Sequence, residues 1–145
     1  MLEQLTATGI RTLTGLVVAF ALGFAGMALT GLFVPPTGAS DVELLLARLG
    51  MIGGGATVGA SLGWAVAMET RREVLTAVLL ALAGALSGGW VGLIYGEANV
   101  FHPDQIRRVQ RISQVVVIGA AVGANLLPLV ESLGRLALRY RREMG

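Results

Sequence analysis

The apolar positions of this chain neither alternate nor mark a single stripe along a helix; they run on without interruption. Four stretches hold no charged residue, Thr12–Ser40, Leu49–Met68, Val74–Gly96 and Ile112–Val130, and they are 29, 20, 23 and 19 residues long. A helix needs about 20 apolar residues to cross ~30 Å of hydrocarbon. Each run has that length, so the pattern predicts an all-α integral membrane protein with four transmembrane helices, a single membrane domain over residues 1–145. The first run also exceeds the roughly 7–15 apolar residues of a secretory leader, and reads as a span.

Punctuation between the runs sets the expected boundaries. Met1–Arg11 reads as a short polar lead-in. The first span ends at Pro35-Pro36, which cannot continue a helix, and Thr37-Gly38-Ala39 makes a loop. Ser40 followed by Glu43 has the spacing of a capping box, so the second helix starts near Asp41. Arg48, one turn above the uncharged run, can snorkel outward. The short connection Glu69–Glu73 makes spans two and three antiparallel neighbours. Pro103 suits the first position of a helix. Asp104–Arg111 reads as a surface turn or two before span four, with Ile106, Val109 and Ile112 on one side and Arg107, Arg108 and Arg111 on the other. Pro128 is late enough to kink only the end of that span.

Glycine is the residue the runs share. It recurs every four residues at Gly55, Gly59 and Gly63, at Gly84, Gly88, Gly92 and Gly96, and at Gly119 and Gly123. That interval stacks the glycines on one helix face, where another backbone can approach closely. These are the expected helix-packing positions. Glycines off the ladders, Gly26, Gly50, Gly53, Gly54 and Gly89, give several helices a second smooth face, which points to contact with further helices, with copies of this chain, or with pigment or lipid tails.

The two halves resemble each other. Gly55–Leu62, GATVGASL, and Gly119–Leu126, GAAVGANL, agree at six of eight positions at an offset of 64. Gly23, Gly31 and Leu32 match Gly84, Gly92 and Leu93 at an offset of 61. The expectation is two tandem two-helix repeats, about 11–70 and 72–140, in parallel orientation about an axis along the membrane normal. Runs rich in glycine and alanine also match one another by chance.

Composition narrows the classes. Charged residues make up 14% and hydrophobic ones 54%, where a soluble domain carries about 25% charged residues. There is no cysteine, so neither a disulfide framework nor a thiolate metal site is available. A formal charge of +2 gives no reason to expect nucleic acid as a partner. Every basic residue is arginine, which fits a high-GC or thermophilic prokaryotic source. Arg11, Arg71, Arg72 and the four C-terminal arginines stand on one side of the spans, against Arg48, Arg107, Arg108 and Arg111 on the other. The positive-inside rule then puts both termini in the cytoplasm of a prokaryotic plasma membrane. Arg135, Arg139, Arg141 and Arg142, interleaved with Leu133, Leu136 and Leu138, make a basic juxtamembrane helix able to meet anionic headgroups or a partner.

The spans hold no Asp, Glu, His or Lys and no arginine below Arg48, so the ionisable groups that pumps and proton-coupled carriers need are missing from their interior. Thr57, Ser61, Ser87 and Asn125 are the polar residues that could line a pathway or bond between helices, the latter being the plainer reading. His102 is the single histidine, before a proline in a loop. No nucleophile–base pair, phosphate loop or metal-ligand spacing occurs, and no cofactor, metal or catalytic residue is expected. The function expected is that of a non-catalytic membrane subunit, a scaffold or accessory component of a larger complex with other membrane subunits or copies of itself. The alternative is a homo-oligomeric channel or passive carrier for a small solute.

Overall fold

In a computed structural model that describes residues 2–33, 40–66, 68 and 70–143, the chain forms four helices. They are α1 (Leu2–Phe33), α2 (Asp41–Ala65), α3 (Arg71–Asn99) and α4 (Gln105–Glu143). All four are long and apolar enough to cross a membrane. At about 1.5 Å per residue, the 32, 25, 29 and 39 residues correspond to roughly 48, 38, 44 and 58 Å. The proline pair and loop expected at 35–39 lie outside the described residues.

The helices pack in chain order, and α4 also touches α1. Across the bundle α2 and α4 meet on the diagonal, whereas α1 and α3 make no contact with each other among the described residues. Ala56 and Ala60 on α2, with Ala120, Ala121 and Ala124 on α4, are fully buried. Such short side chains allow the two central helices to approach while the other two remain peripheral.

On α1 and α3 the burial pattern is inverted relative to a water-soluble bundle, whereas α2 and α4 bury Ile52, Trp64, Ile112, Val116 and Val117. Every buried residue of α3 is alanine or glycine: Ala77, Ala81, Gly84, Ala85, Gly89, Gly92 and Gly96. Its large apolar side chains point outward, with Leu75 60% and Ile94 58% exposed. On α1 likewise Leu13, Val17 and Phe24 are exposed while Gly15, Ala19, Gly23 and Gly26 are buried.

The helix ends depart from the sequence expectations in three places. Residues 2–11 are not a lead-in but the first turns of α1, because Leu2 to Thr8 contains no glycine or proline and favours helix. Residues 105–111 are continuous with α4, which runs on through Pro128 to Glu143. Pro103 does not open that helix. Asp104 caps it, its Oδ1 accepting from the Ile106 and Arg107 N–H groups at 3.0 and 3.4 Å, while Asp104 N–H donates to His102 Nδ1.

Capping boxes start α2 and α3. The expected one pairs Ser40 with Glu43, and its twin at Thr70 and Glu73 opens α3 in the same way. Replacing Thr70 by alanine removes an acceptor for the Glu73 N–H. It should lower stability by about 1 kcal/mol, while Thr76→Ala, whose hydroxyl only bonds back to the Arg72 carbonyl, should change it little. Chemical unfolding in mild detergent reads both.

Candidate functional site

Three sets of side chains organise the bundle: the glycine faces, a polar tie at each end, and a cavity beside the chain termini. The glycine faces come first because they set the helix spacing. Gly55, Gly59 and Gly63 of α2 lie against the α1 backbone at Leu22, Ala19 and Gly15 respectively. Gly84 and Gly123 face each other's carbonyl groups across α3 and α4, as do Gly88 and Gly119 one turn along. A Cβ placed on Gly92 would stand 2.7 Å from the Val115 carbonyl oxygen. None of these positions has room for a methyl group without moving a helix. Of the off-ladder glycines, Gly26 faces the Met51 backbone, Gly89 receives the Leu49 side chain and Gly53 faces Leu86. Gly50 and Gly54 meet nothing within 4 Å and lie open on the outer face of α2.

The four polar candidates are not linked to one another. Thr57 and Ser87 donate back to their own helices, to Gly53 O at 2.7 Å and Ala83 O at 2.8 Å. The Ser61 hydroxyl is buried without a partner. Asn125, 2% exposed, joins α4 to α2: its Oδ1 accepts from Trp64 Nε1 at 3.2 Å, and its Nδ2 donates to the Ala121 carbonyl at 2.9 Å. Gly15 makes the room, since a Cβ there would collide with Asn125 Oδ1. One amide thus meets three helices. Trp64 carried no signal in the sequence, being a single ring in a run of small residues.

A second polar tie lies at the opposite end. Arg48 does not snorkel outward. It turns across the bundle, where Nη1 donates to Ser113 Oγ at 2.9 Å and to Val109 O at 3.5 Å, leaving Nε buried and unpartnered. The fully buried Ser113 offers a polar partner close by, and that diverts the guanidinium from the surface. Arg108 ties α4 to the end of α3 through Glu97 at 2.8 Å and Val100 O at 3.2 Å.

At the end that carries both termini, the first turns of α1 and the last turns of α4 extend past the α2–α3 connection. With the end of α2 and the start of α3 they border a partly open polar cavity of about 400 Å³ whose charged lining is Arg11, Arg135, Arg139, Glu73 and Glu131. Trp64 and Pro128 belong to the same lining. Of the C-terminal arginines expected to face headgroups, Arg135 is held by Glu131 and by Glu73 of α3, Arg139 lines the cavity, and Arg141 and Arg142 are exposed.

Comparison with protein-family models, with curated proteins and with solved structures finds no match to this chain.

The glycine contacts and the Asn125 bond differ in what their loss costs. Gly59→Leu or Gly88→Leu drives a branched side chain into a neighbouring backbone and should destabilise the bundle by about 3 kcal/mol or more. Asn125→Ala removes one interhelical bond and should cost only about 1 kcal/mol. Native gels and thermal unfolding in mild detergent should rank the variants in that order; equal behaviour of all three would contradict the packing account.

Proposed function

We propose that this chain is a non-catalytic four-helix membrane subunit that serves as a scaffold or accessory component of a larger membrane assembly. The observation that carries the reading is the inverted burial of α1 and α3, with alanine and glycine inside and leucine, valine and isoleucine outside. In water so large an apolar exterior would be a liability; against lipid tails and neighbouring helices it is the expected surface. The open glycines Gly50 and Gly54 add a smooth patch on α2 where another helix can lie close.

A tandem duplication, with repeats near 11–70 and 72–140, is part of this reading. It is supported by equivalent roles, since α2 and α4 are both central and α1 and α3 both peripheral. The helix contacts differ in register, however. Gly59 faces Ala19, whereas its counterpart Gly123 faces Gly84, which the sequence offset pairs with Gly23. The two hairpins therefore close one helical turn apart.

The orientation proposed is both termini in the cytoplasm. Arginines at the other end are largely engaged: Arg48 with Ser113, Arg107 with Asp104 and Arg108 with Glu97. The positive-inside rule counts basic residues whatever their partners, and the terminal end carries seven arginines, Arg11, Arg71, Arg72, Arg135, Arg139, Arg141 and Arg142, against four at the other.

A homo-oligomeric channel or passive carrier is the second reading. The buried, unpartnered hydroxyl of Ser61 favours it, as a water-lined path would satisfy that group. The fixed bonds of Thr57, Ser87 and Asn125 favour the scaffold.

Because the chain has no cysteine, single cysteines report topology directly. An impermeant maleimide should label Ala98→Cys in intact cells and Tyr140→Cys only after permeabilisation; the reverse pattern would invert the orientation, and labelling of both in the soluble fraction would end the membrane reading. Gentle extraction of the native particle, followed by mass spectrometry, should recover other membrane subunits in fixed stoichiometry. A particle made of this chain alone that passes small solutes in proteoliposomes would replace the scaffold by the channel.

A further inference from the structure

A second cavity at the terminal end is an open groove of about 410 Å³ between the first turns of α1 and the last turns of α4. Its walls are Leu5 on α1 and Leu133, Leu136, Ala137 and Tyr140 on α4. The four α4 residues follow the i, i+3, i+4, i+7 spacing that makes one apolar face of a helix. Leu5, Leu133, Ala137 and Tyr140 are exposed, so this face is unfilled along two turns.

Most of the groove stands clear of lipid. At about 1.5 Å per residue, Tyr140 lies roughly 15 Å past the end of the uncharged run at Val130, and Leu5 roughly 10 Å before Thr12. The headgroup layer adds only about 5–7 Å to each side of the hydrocarbon. In the membrane reading given above, Leu133 is then among headgroups, while Leu5 and Tyr140 are in water. An apolar face in water is a liability until another surface covers it.

The flanking charges select the kind of surface. At about 3.6 residues per turn, Arg139 and Arg141 fall on the two flanks of the apolar stripe, and Arg142 falls on the reverse of α4. Arg135 is paired with Glu131 and Glu73, whereas Arg139 and Arg141 have no carboxylate partner among the described residues. A second copy in the same membrane would bring its own arginines to this stripe and be repelled. A helix with leucines on one face and carboxylates along its flanks complements the groove in shape and in charge.

We propose that the groove between α1 and α4 docks an acidic amphipathic helix of another subunit, its apolar face against Leu5, Leu133, Leu136 and Tyr140 and its carboxylates at Arg139 and Arg141. The docking site rests on the scaffold reading and adds the chemistry of the segment that is held.

Peptide titration onto the full chain in phosphatidylcholine nanodiscs tests the groove. The probe is a labelled helical peptide with leucine at i, i+3, i+4 and i+7 and glutamate along both flanks; its control carries lysine in place of glutamate. The acidic peptide should bind about tenfold more tightly than the lysine peptide, and should ignore empty nanodiscs. Arg139→Glu with Arg141→Glu should reverse that preference, whereas Arg142→Glu should leave it within about twofold. Leu133→Gln should weaken both peptides. Equal binding of the two peptides, equal binding to empty nanodiscs, or the same loss in Arg142→Glu as in the double variant would each overturn the proposal. Disulfide-linked dimers of Tyr140→Cys would overturn it too, by giving the groove to a second copy. In the native particle, the double glutamate variant should lose one subunit. If it keeps them all, the docking site falls and the scaffold reading stands; if the wild-type particle holds this chain alone, the scaffold reading itself falls.

Discussion

The contact on which this bundle depends is backbone against backbone. Where Gly84 meets Gly123 and Gly88 meets Gly119, no side chain stands between α3 and α4. In an apolar solvent, burying a leucine gains little, since hydrocarbon lies on both sides of the transfer. Cohesion must then come from dispersion between atoms brought to van der Waals distance, and removing side chains at the seam brings the most atoms together. Outward leucines and inward glycines are the two features that an apolar solvent would select together. Glycine weakens a helix by roughly 0.5–1 kcal/mol relative to alanine, so each seam position has to recover that cost through contact. At Gly50 and Gly54 an added Cβ would meet no neighbouring helix within 4 Å, so these two do not recover it among the described residues.

Much of the fold was legible in the sequence because charge is so costly in the interior of the predicted spans. The gaps between charged residues located all four helices, and the Ser40–Glu43 spacing located a helix start that the structure retains. What the charge pattern could not show was helix outside the runs. The turns at 2–11 and 105–111 carry charges, and nothing in hydropathy separates a solvated helix from a loop there, whereas the interleaved leucines and arginines at 133–142 did announce a helix. The same blindness hid the Thr70–Glu73 box, which sits among arginines. Register was hidden for a different reason. A ladder of glycines repeats every turn, so sliding one helix by four residues preserves the pattern, and the one-turn difference between the hairpins leaves no trace in the sequence.

Side-chain direction was the least legible feature of the candidate site. Arg48, near a helix end, satisfied the rule for a snorkelling residue; the rule was overridden by Ser113, 65 positions later in the chain. Asn125 was visible as a buried polar residue, but its partner Trp64 was not, and neither was the clearance that Gly15 provides. A glycine that makes space for an amide is indistinguishable in sequence from one that makes space for a backbone. Both ties join the central helices α2 and α4, one near each end. The glycine seams close each hairpin along its length, and the two polar ties hold the hairpins to each other at a defined height.

That division of labour explains why the polar cavity lies at the terminal end. Helices α2 and α3 meet their connection there, while α1 and α4 continue beyond it, with Glu73 at the start of α3 still reaching Arg135. Past Gly15 and Pro128 no described glycine packs against a neighbouring helix: a Cβ on Gly9 or Gly134 would meet nothing within 4 Å. The spacing set by the bundle below is inherited by two helices whose side chains are now arginine, leucine, glutamine and tyrosine. Long side chains at a spacing they did not set leave gaps, and Glu73, Arg135 and Glu131, joined by ion pairs, line one side of the polar cavity. Trp64, 1% exposed and anchored to Asn125, lies on the lining of that cavity where it meets the close-packed interior. The cavities are thus a direct consequence of ending a glycine-packed bundle with two helices that outlast it.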